Sequence, residues 1–420
     1  MSHPSDLSST GGCDRPPDHM QGQVGGSALA RPAPGTIPTL DGFRAAAILF
    51  VMLSHVGLEK SVPGQFGVTL FFFLSGYLIT TLLRRELICD GRVSYAIFYL
   101  RRAVRILPPM WLAIGLAVVF SLTRLNHPLN FEGLTFDFAF LSNYLPRSGV
   151  PIGLWSLAVE EHFYLLFPVA AITIVSRWGA RACAVACALV CLVALGVRVG
   201  EVVRLEDFTA VNFWTHTRMD SILFGAILAL WNNPVLDRED RLPGRWRGYI
   251  IGGGFLAISF LVRDEVFRQT LRYTVQGVGL IFVFNAAIRD ERLAHPLLEN
   301  APLRLIAALS YMLYLVHGIF VQATEPLASQ IGRPAAAVAG LGLAFGFAYA
   351  TRVVMEEPLA RWRKQVERRW RRERAQENGV VAAPPPALVE LPSNSEASTE
   401  GPDGESSTEE QAPAHSTRMN

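Results

Sequence analysis

Apolar residues in this chain gather into runs of about 20, recurring from residue 38 to residue 356. An α-helix needs about 20 such residues to cross a hydrocarbon core of roughly 30 Å. Ten segments fit: 38–58, 66–83, 106–123, 152–175, 180–197, 211–231, 248–262, 271–288, 302–324 and 335–355. The runs are continuous and do not alternate, which argues against a β-barrel. The pattern predicts an all-α fold, a polytopic helical membrane bundle of about ten transmembrane helices. One more apolar stretch, "LTFDFAFLSNYL" at 134–145, is too short to span and reads as re-entrant or interfacial.

The flanks differ in kind. Residues 1–36 are rich in Pro, Gly and Ser and lack the apolar core of a signal peptide, so they read as a disordered leader. Residues 37–360 form the transmembrane domain. Residues 361–376 make a basic segment, and 377–420 an acidic tail too polar to build a core. No second folded domain and no internal repeat is visible. The chain is 50% hydrophobic with a formal net charge of +2, which by itself says little about partners and gives no sign of nucleic-acid binding.

The placement of charge says more. The segment between the second and third runs carries Arg84, Arg85, Arg92, Arg101, Arg102 and Arg105, and "RWRKQVERRWRRER" after the last run has eight basic and two acidic residues. Basic loops stay on the cytoplasmic side. An even number of spans puts both clusters on one side, so both termini are expected in the cytoplasm and the protein in the plasma (inner) membrane. The arginine-rich end is also suited to anionic membrane lipids.

Ionisable residues inside spans are costly and usually have a partner or a task. The first run, "LDGFRAAAILFVMLSH", holds Arg44 toward the inner end and His55 toward the outer, roughly 16 Å apart at 1.5 Å per residue. Arg44 could simply pair with Asp41 one turn back, and His55 could be a hydrogen-bonded interface residue. The same topology places Glu160 and Glu161, then His216, Arg218 and Asp220, and finally His317 near the outer face. Span ends attract polar residues in any case, but histidine beside carboxylates is what general-base catalysis or a proton relay needs. On the inner side Arg101, Arg102 and Arg105 suit phosphate oxygens, although the topology rule alone could account for them.

Other motifs carry less. Ser75 in "FGVTLFFFLSGYLI" has no nucleophile elbow around it, and close packing at Ser75 and Gly76 is the better reading. Cys183, Cys187 and Cys191 share one helix face and read as packing residues, with no disulfide framework and no metal-ligand set. P-loop, Rossmann and zincin patterns are absent.

Seven stretches in order, "LDGFRAAAILFVMLSH", "FFFLSGYLI", "RRAVRILP", "WSLAVEEHFYLLFP", "RMDSILFGA", "LSYMLYLVH" and "EEPLARW", resemble the membrane-bound acyltransferase family 3, which includes O-acetylases of bacterial polysaccharides and acylases of macrolide antibiotics. The resemblance spans about residues 37–360. It implies transfer of an acyl group, by default acetyl, from acyl-CoA (acetyl-CoA) to a hydroxyl of a glycan, a glycolipid or a glycosylated small molecule. Arg44 and His55 correspond to the family's essential Arg–His pair, Arg102 and Arg105 with neighbouring Arg101 to its cytoplasmic arginine motif, and Glu160 to its W-S-L-x-x-E glutamate. The implied roles are His55 as general base with Glu160 or Asp220 orienting it, or a covalent acyl-histidine. Trp155, Arg218 and His317 are supporting residues, and Arg44, Arg101, Arg102 and Arg105 bind acyl-CoA. No permanently bound cofactor and no metal is expected. This chain has His162 where many relatives show glutamine. Larger relatives append a soluble extracytoplasmic domain, whereas here only the tail follows. The competing class is a polytopic transporter with a buried His/Arg/carboxylate relay.

Overall fold

The described residues, 38–59, 61–123, 130–145, 153–204 and 209–377 of the computed structural model, contain α-helices and no strand. The helices are α1 (Pro38–Leu53), α2 (Gly64–Asp90), α3 (Tyr95–Thr123), α4 (Phe131–Phe138), α5 (Leu154–Arg204), α6 (Thr215–Trp231), α7 (Arg245–Leu261), α8 (Glu265–Gln269), α9 (Leu271–Ile288), α10 (Ala294–Leu298), α11 (Ala301–Thr324), α12 (Ala328–Ile331), α13 (Arg333–Thr351) and α14 (Glu357–Glu377). Two π-helical segments, Ser54–Leu58 and Arg352–Glu356, continue α1 and α13. Residues to Glu367 belong to one compact unit, and of the second, Arg368–Asn420, the described part is the end of α14. The predicted leader and most of the acidic tail lie outside the described residues.

Among the described residues, seven helices are long and apolar enough to cross a membrane. The longest, α5, has 51 residues and breaks at Gly179, whose φ of +85° favours a residue without Cβ. Its two arms, 154–178 and 180–204, each match a predicted span. Helices α6 and α7 have 17 residues each and fall just below that length. Each of the ten predicted segments overlaps a helix or an arm of one, although 211–231 begins four residues before α6 and residue 152 lies outside the described residues. The main displacement is at α3, which begins at Tyr95, so Arg101, Arg102 and Arg105 stand on the helix itself and not in a loop before it. Arginine is a good helix former with a long apolar stem, so charge hides helix from a hydropathy reading. The stretch 134–145 holds the end of α4 and turns; Asn130 caps that helix by accepting from the Gly133 N–H at 3.2 Å.

Helix α2 is the most enclosed of these seven, with 78% of its apolar stretch buried. A helix buried on all sides must satisfy its polar groups internally. Tyr77 donates to Asn233 at 3.2 Å, Asn233 donates to Thr81 at 2.9 Å, and Arg84 pairs with Asp237 at 2.9 Å. Helix α2 packs on α6 and α1, and α1 in turn packs on α11. The α2–α6 crossing is close because glycines meet there: a Cβ on Gly76 would strike the Ile222 carbonyl, and one on Gly225 the Phe73 carbonyl. The predicted packing role of the Ser-Gly step therefore holds for Gly76.

The two ends of the bundle differ. One end gathers Arg84 with Asp237, Arg245 with Asp290 and Arg101 with Glu367, each at 2.9 Å. The other carries the break after α1, with His55, and the starts of α5 and α6.

Candidate active site

A cavity of about 840 Å³, partly open to solvent, lies among α1, α2, α3, α5 and α11. Its polar wall consists of Arg44 from α1, Ser75 from α2, Arg102 and Arg105 from α3, Ser156, Glu160 and Tyr164 from α5, and Ser310, Tyr311 and Tyr314 from α11. Apolar residues, among them Phe71, Phe72 and Leu78, complete it. Glu160 is the one carboxylate among these lining residues, against three guanidinium groups, so the space favours an anion.

Each polar group is held in place. The Glu160 carboxylate accepts from the Ser75 hydroxyl at 3.0 Å and from the Tyr164 hydroxyl at 2.9 Å, with Tyr164 and Ser75 also 3.0 Å apart. Glu160 and Tyr164 stand four residues apart and so share a face of α5. The Arg102 guanidinium lies 4.7 Å from the Tyr164 ring centroid, within cation–π range. Arg44 forms the local pair with Asp41 at 2.9 Å while still lining the cavity. Among the described residues Arg102 and Arg105 form no ion pair. Tyr314 and Ser156 share a hydrogen bond of 2.6 Å at the cavity's α5–α11 wall.

His55 lies outside this wall. It is exposed, in the π-helical segment just before the break at Val56–Gly57. Its Nδ1 is 2.7 Å from the Val51 carbonyl and 3.3 Å from Ser54 Oγ. A carbonyl can only accept, so Nδ1 carries the hydrogen and Nε2 presents the lone pair. His317 is bound likewise, its Nδ1 2.9 Å from the carbonyls of Leu313 and Tyr314, with Nε2 buried and unpartnered. The two rings touch edge to face at 5.0 Å, and His317 is 6.3 Å from the ring of Tyr314, a cavity residue. Tyr314 and His317, both on α11, thus stand between the cavity wall and His55.

The residues expected to converge near the outer face form three groups. His55 and His317 are one, and Glu160 with the cavity arginines is the second. The third is a buried cluster on α6: Asp220 pairs with Arg198 at 2.8 Å, both fully buried, and Arg198 also donates to the Thr217 carbonyl and to Thr274 at 3.1 Å. Asp220 is thus neutralised by Arg198 and does not orient His55; no sequence motif marks Arg198, which sits at the end of a predicted span. Arg218 donates to Thr69 at 3.1 Å and stacks on the Tyr273 ring at 3.6 Å. Glu160 likewise binds hydroxyl groups and not the imidazole. Trp155 packs against Phe213 and Phe72. Arg101 turns away from the cavity to Glu367. His162 faces α6, its Nδ1 2.7 Å from the Thr215 hydroxyl.

Sequence reasoning overlooked Tyr164, Tyr311 and Tyr314 and gave Ser75 only a packing role. The spacing of Glu160 and Tyr164 would have found the first. The others depend on how α2 and α11 are rotated, which only packing decides.

Comparison with known proteins follows this geometry. A family described as an acyltransferase domain matches residues 37–353. YrhL of Bacillus subtilis (strain 168), provisionally named a peptidoglycan O-acetyltransferase, is 32% identical over 324 residues, covering 71% of this chain and 50% of its own. The O-acetyltransferase OatA of Staphylococcus aureus (strain NCTC 8325 / PS 47) is 30% identical over 305 residues, 68% of this chain and 50% of its own. The chain thus spans about half the length of the curated relatives it matches. No solved structure matches it. With the family match covering most of its length and every helix that lines the cavity, the chain belongs to this acyltransferase family.

Proposed function

We propose that this protein transfers an acyl group, acetyl by default, from acyl-CoA to a hydroxyl of an envelope glycan, the acceptor class in the name of the Bacillus subtilis relative. The observation that carries the reading is the arginine-lined cavity whose wall residue Tyr314 lies 6.3 Å from the ring of His317, which in turn touches His55. Arg44, Arg102 and Arg105 bind the donor, whose phosphates lie toward the basic end of the bundle in the cytoplasm. The acyl thioester lies along α11 toward His55, over the roughly 16 Å that separates Arg44 from His55 on their helix.

His55 Nε2 takes the proton of the acceptor hydroxyl as its oxygen attacks the thioester carbon. The C–S bond breaks, CoA leaves as thiolate, and the imidazolium returns the proton to sulfur. Because Nδ1–H is tied to the Val51 carbonyl, the basic nitrogen is already the one turned from the helix. Glu160 holds Ser75 and Tyr164 and offsets the arginines that the donor phosphates would later screen. An acyl-histidine formed at the same Nε2 is compatible with this geometry.

The test is product analysis. Purified protein given acetyl-CoA and muropeptides should release free CoA in proportion to ester formed, with the acetyl group located by mass spectrometry. Absence of CoA release with any glycan hydroxyl removes the reading and leaves the transporter class.

A further inference from the structure

A second cavity, of about 610 Å³, opens beside the first. It is bordered by Val104, Arg105, Arg352, Glu356, Glu357, Ala360 and Arg363. We propose that it holds the nucleotide-phosphate head of the acyl donor, while the cavity around Glu160 holds the acyl-bearing arm. This rests on the donor reading above and assigns Arg352 and Arg363 to it.

Four observations support the division. Arg105 borders both cavities, so they are neighbours joined at one side chain. It is exposed and has no hydrogen bond or ion pair among the described residues, which leaves its guanidinium free for a phosphate. Arg352 begins a π-helical segment, Arg352–Glu356. Such a segment widens a helix and is frequent at functional sites. Here it lets Arg352 Nε reach Glu357, five residues on, at 3.1 Å while the side chain borders the cavity.

Arg363 is the fourth. Its Nε is buried without a hydrogen bond, with one Glu367 oxygen 3.2 Å away and the other paired with Arg101. Glu356 and Glu357 limit repulsion among the three guanidinium groups, and the lining still has three cations against two carboxylates. A diphosphate bound here extends toward Arg102 and Arg44 and directs the thiol-bearing arm into the first cavity.

Acetyl-CoA and acetyl-pantetheine, which lacks the nucleotide and its phosphates, separate the two cavities. Full-length protein in detergent, with muropeptides as acceptor, should use acetyl-CoA at the lower KM. Arg352→Gln and Arg363→Gln should each raise that KM roughly tenfold with kcat little changed, and leave acetyl-pantetheine kinetics unchanged. Arg352→Lys should restore part of the loss. If both donors suffer alike, these arginines only brace α13 against α14 and the proposal is overturned. Unchanged preference for acetyl-CoA in the variants, as with a site that holds a lipid phosphate instead, overturns it as well. If the unaltered protein releases thiol from neither donor, the donor reading has failed and the proposal falls with it.

Discussion

His55 and His317 meet edge to face, with ring centroids 5.0 Å apart and planes 76° from each other. Both are locked the same way, Nδ1 toward a carbonyl four residues back on the same helix. They differ in surroundings: His55 is exposed beside the helix break, while His317 is buried with a bare Nε2. The exposed ring can accept a proton and be hydrated, and the buried one is better suited to hold its neighbour's orientation.

From this pair comes a graded expectation. His55→Ala should lower turnover by about two to four orders of magnitude, the range for loss of a general base, with membrane insertion unchanged. His317→Phe keeps a ring against His55 and should cost far less. Thiol release from membranes of equal protein content measures both. Equal losses would mean that His317 itself moves the proton.

The Ser75–Glu160–Tyr164 triangle should behave as a unit. Tyr164→Phe removes a buried hydroxyl that donates to a carboxylate, worth about 1.5–3 kcal/mol. Ser75→Ala removes another donor to the same group. A double-mutant cycle on thermal stability in detergent should show coupling of about 0.5–3 kcal/mol. Additive effects would show that the two hydroxyl groups do not share Glu160.

Asp220 and Arg198 are both fully buried and 2.8 Å apart. Asp220→Asn leaves a buried guanidinium without its counter-charge and should cost about 3–5 kcal/mol. Replacing both, as in Arg198→Met with Asp220→Leu, should recover much of the stability. Turnover per folded molecule in the double variant should stay near that of the unaltered protein. A selective loss of turnover there would return Asp220 to the chemistry.

Asp290, in the turn between α9 and α10, gives a pH signature. Burial opposes its ionisation, but the backbone N–H groups of Leu293 and Arg292, the Tyr249 hydroxyl and Arg245 outweigh it and hold its carboxyl below the ordinary value of 3.8. A depressed carboxylate pKa stabilises the fold above its unfolded value and ceases to do so as pH falls through the folded one. Asp290→Asn should therefore melt lower than the unaltered protein at pH 7, with the gap closing below about pH 4. A gap that persists unchanged in acid would show that charge plays no part.

How far the sequence carried the reading can be judged residue by residue. The span starting at Leu271 and ending at Ile288 coincides with α9, because an apolar run long enough for a bilayer leaves the backbone no option except helix. The start of α3 was missed because its first turns are arginine-rich. Arg44 and Glu160 were visible as charges in apolar runs, since such charges are costly without a partner or a task. Their common cavity was not visible, and neither was the pairing of Asp220 with Arg198.

Hydrophobic length and charge placement thus determined, by themselves, that this chain is a helical membrane bundle and which ionisable residues stand within it. Those properties are local: each span is set by its own residues and the bilayer. Which carboxylate faces which cation was decided only by the tertiary structure, because it depends on the rotation and crossing of helices far apart in sequence. The close α2–α6 contact at Gly76 and Gly225 helps set one such crossing. Packing placed Glu160 among arginines and hydroxyls, and left His55 beside another histidine.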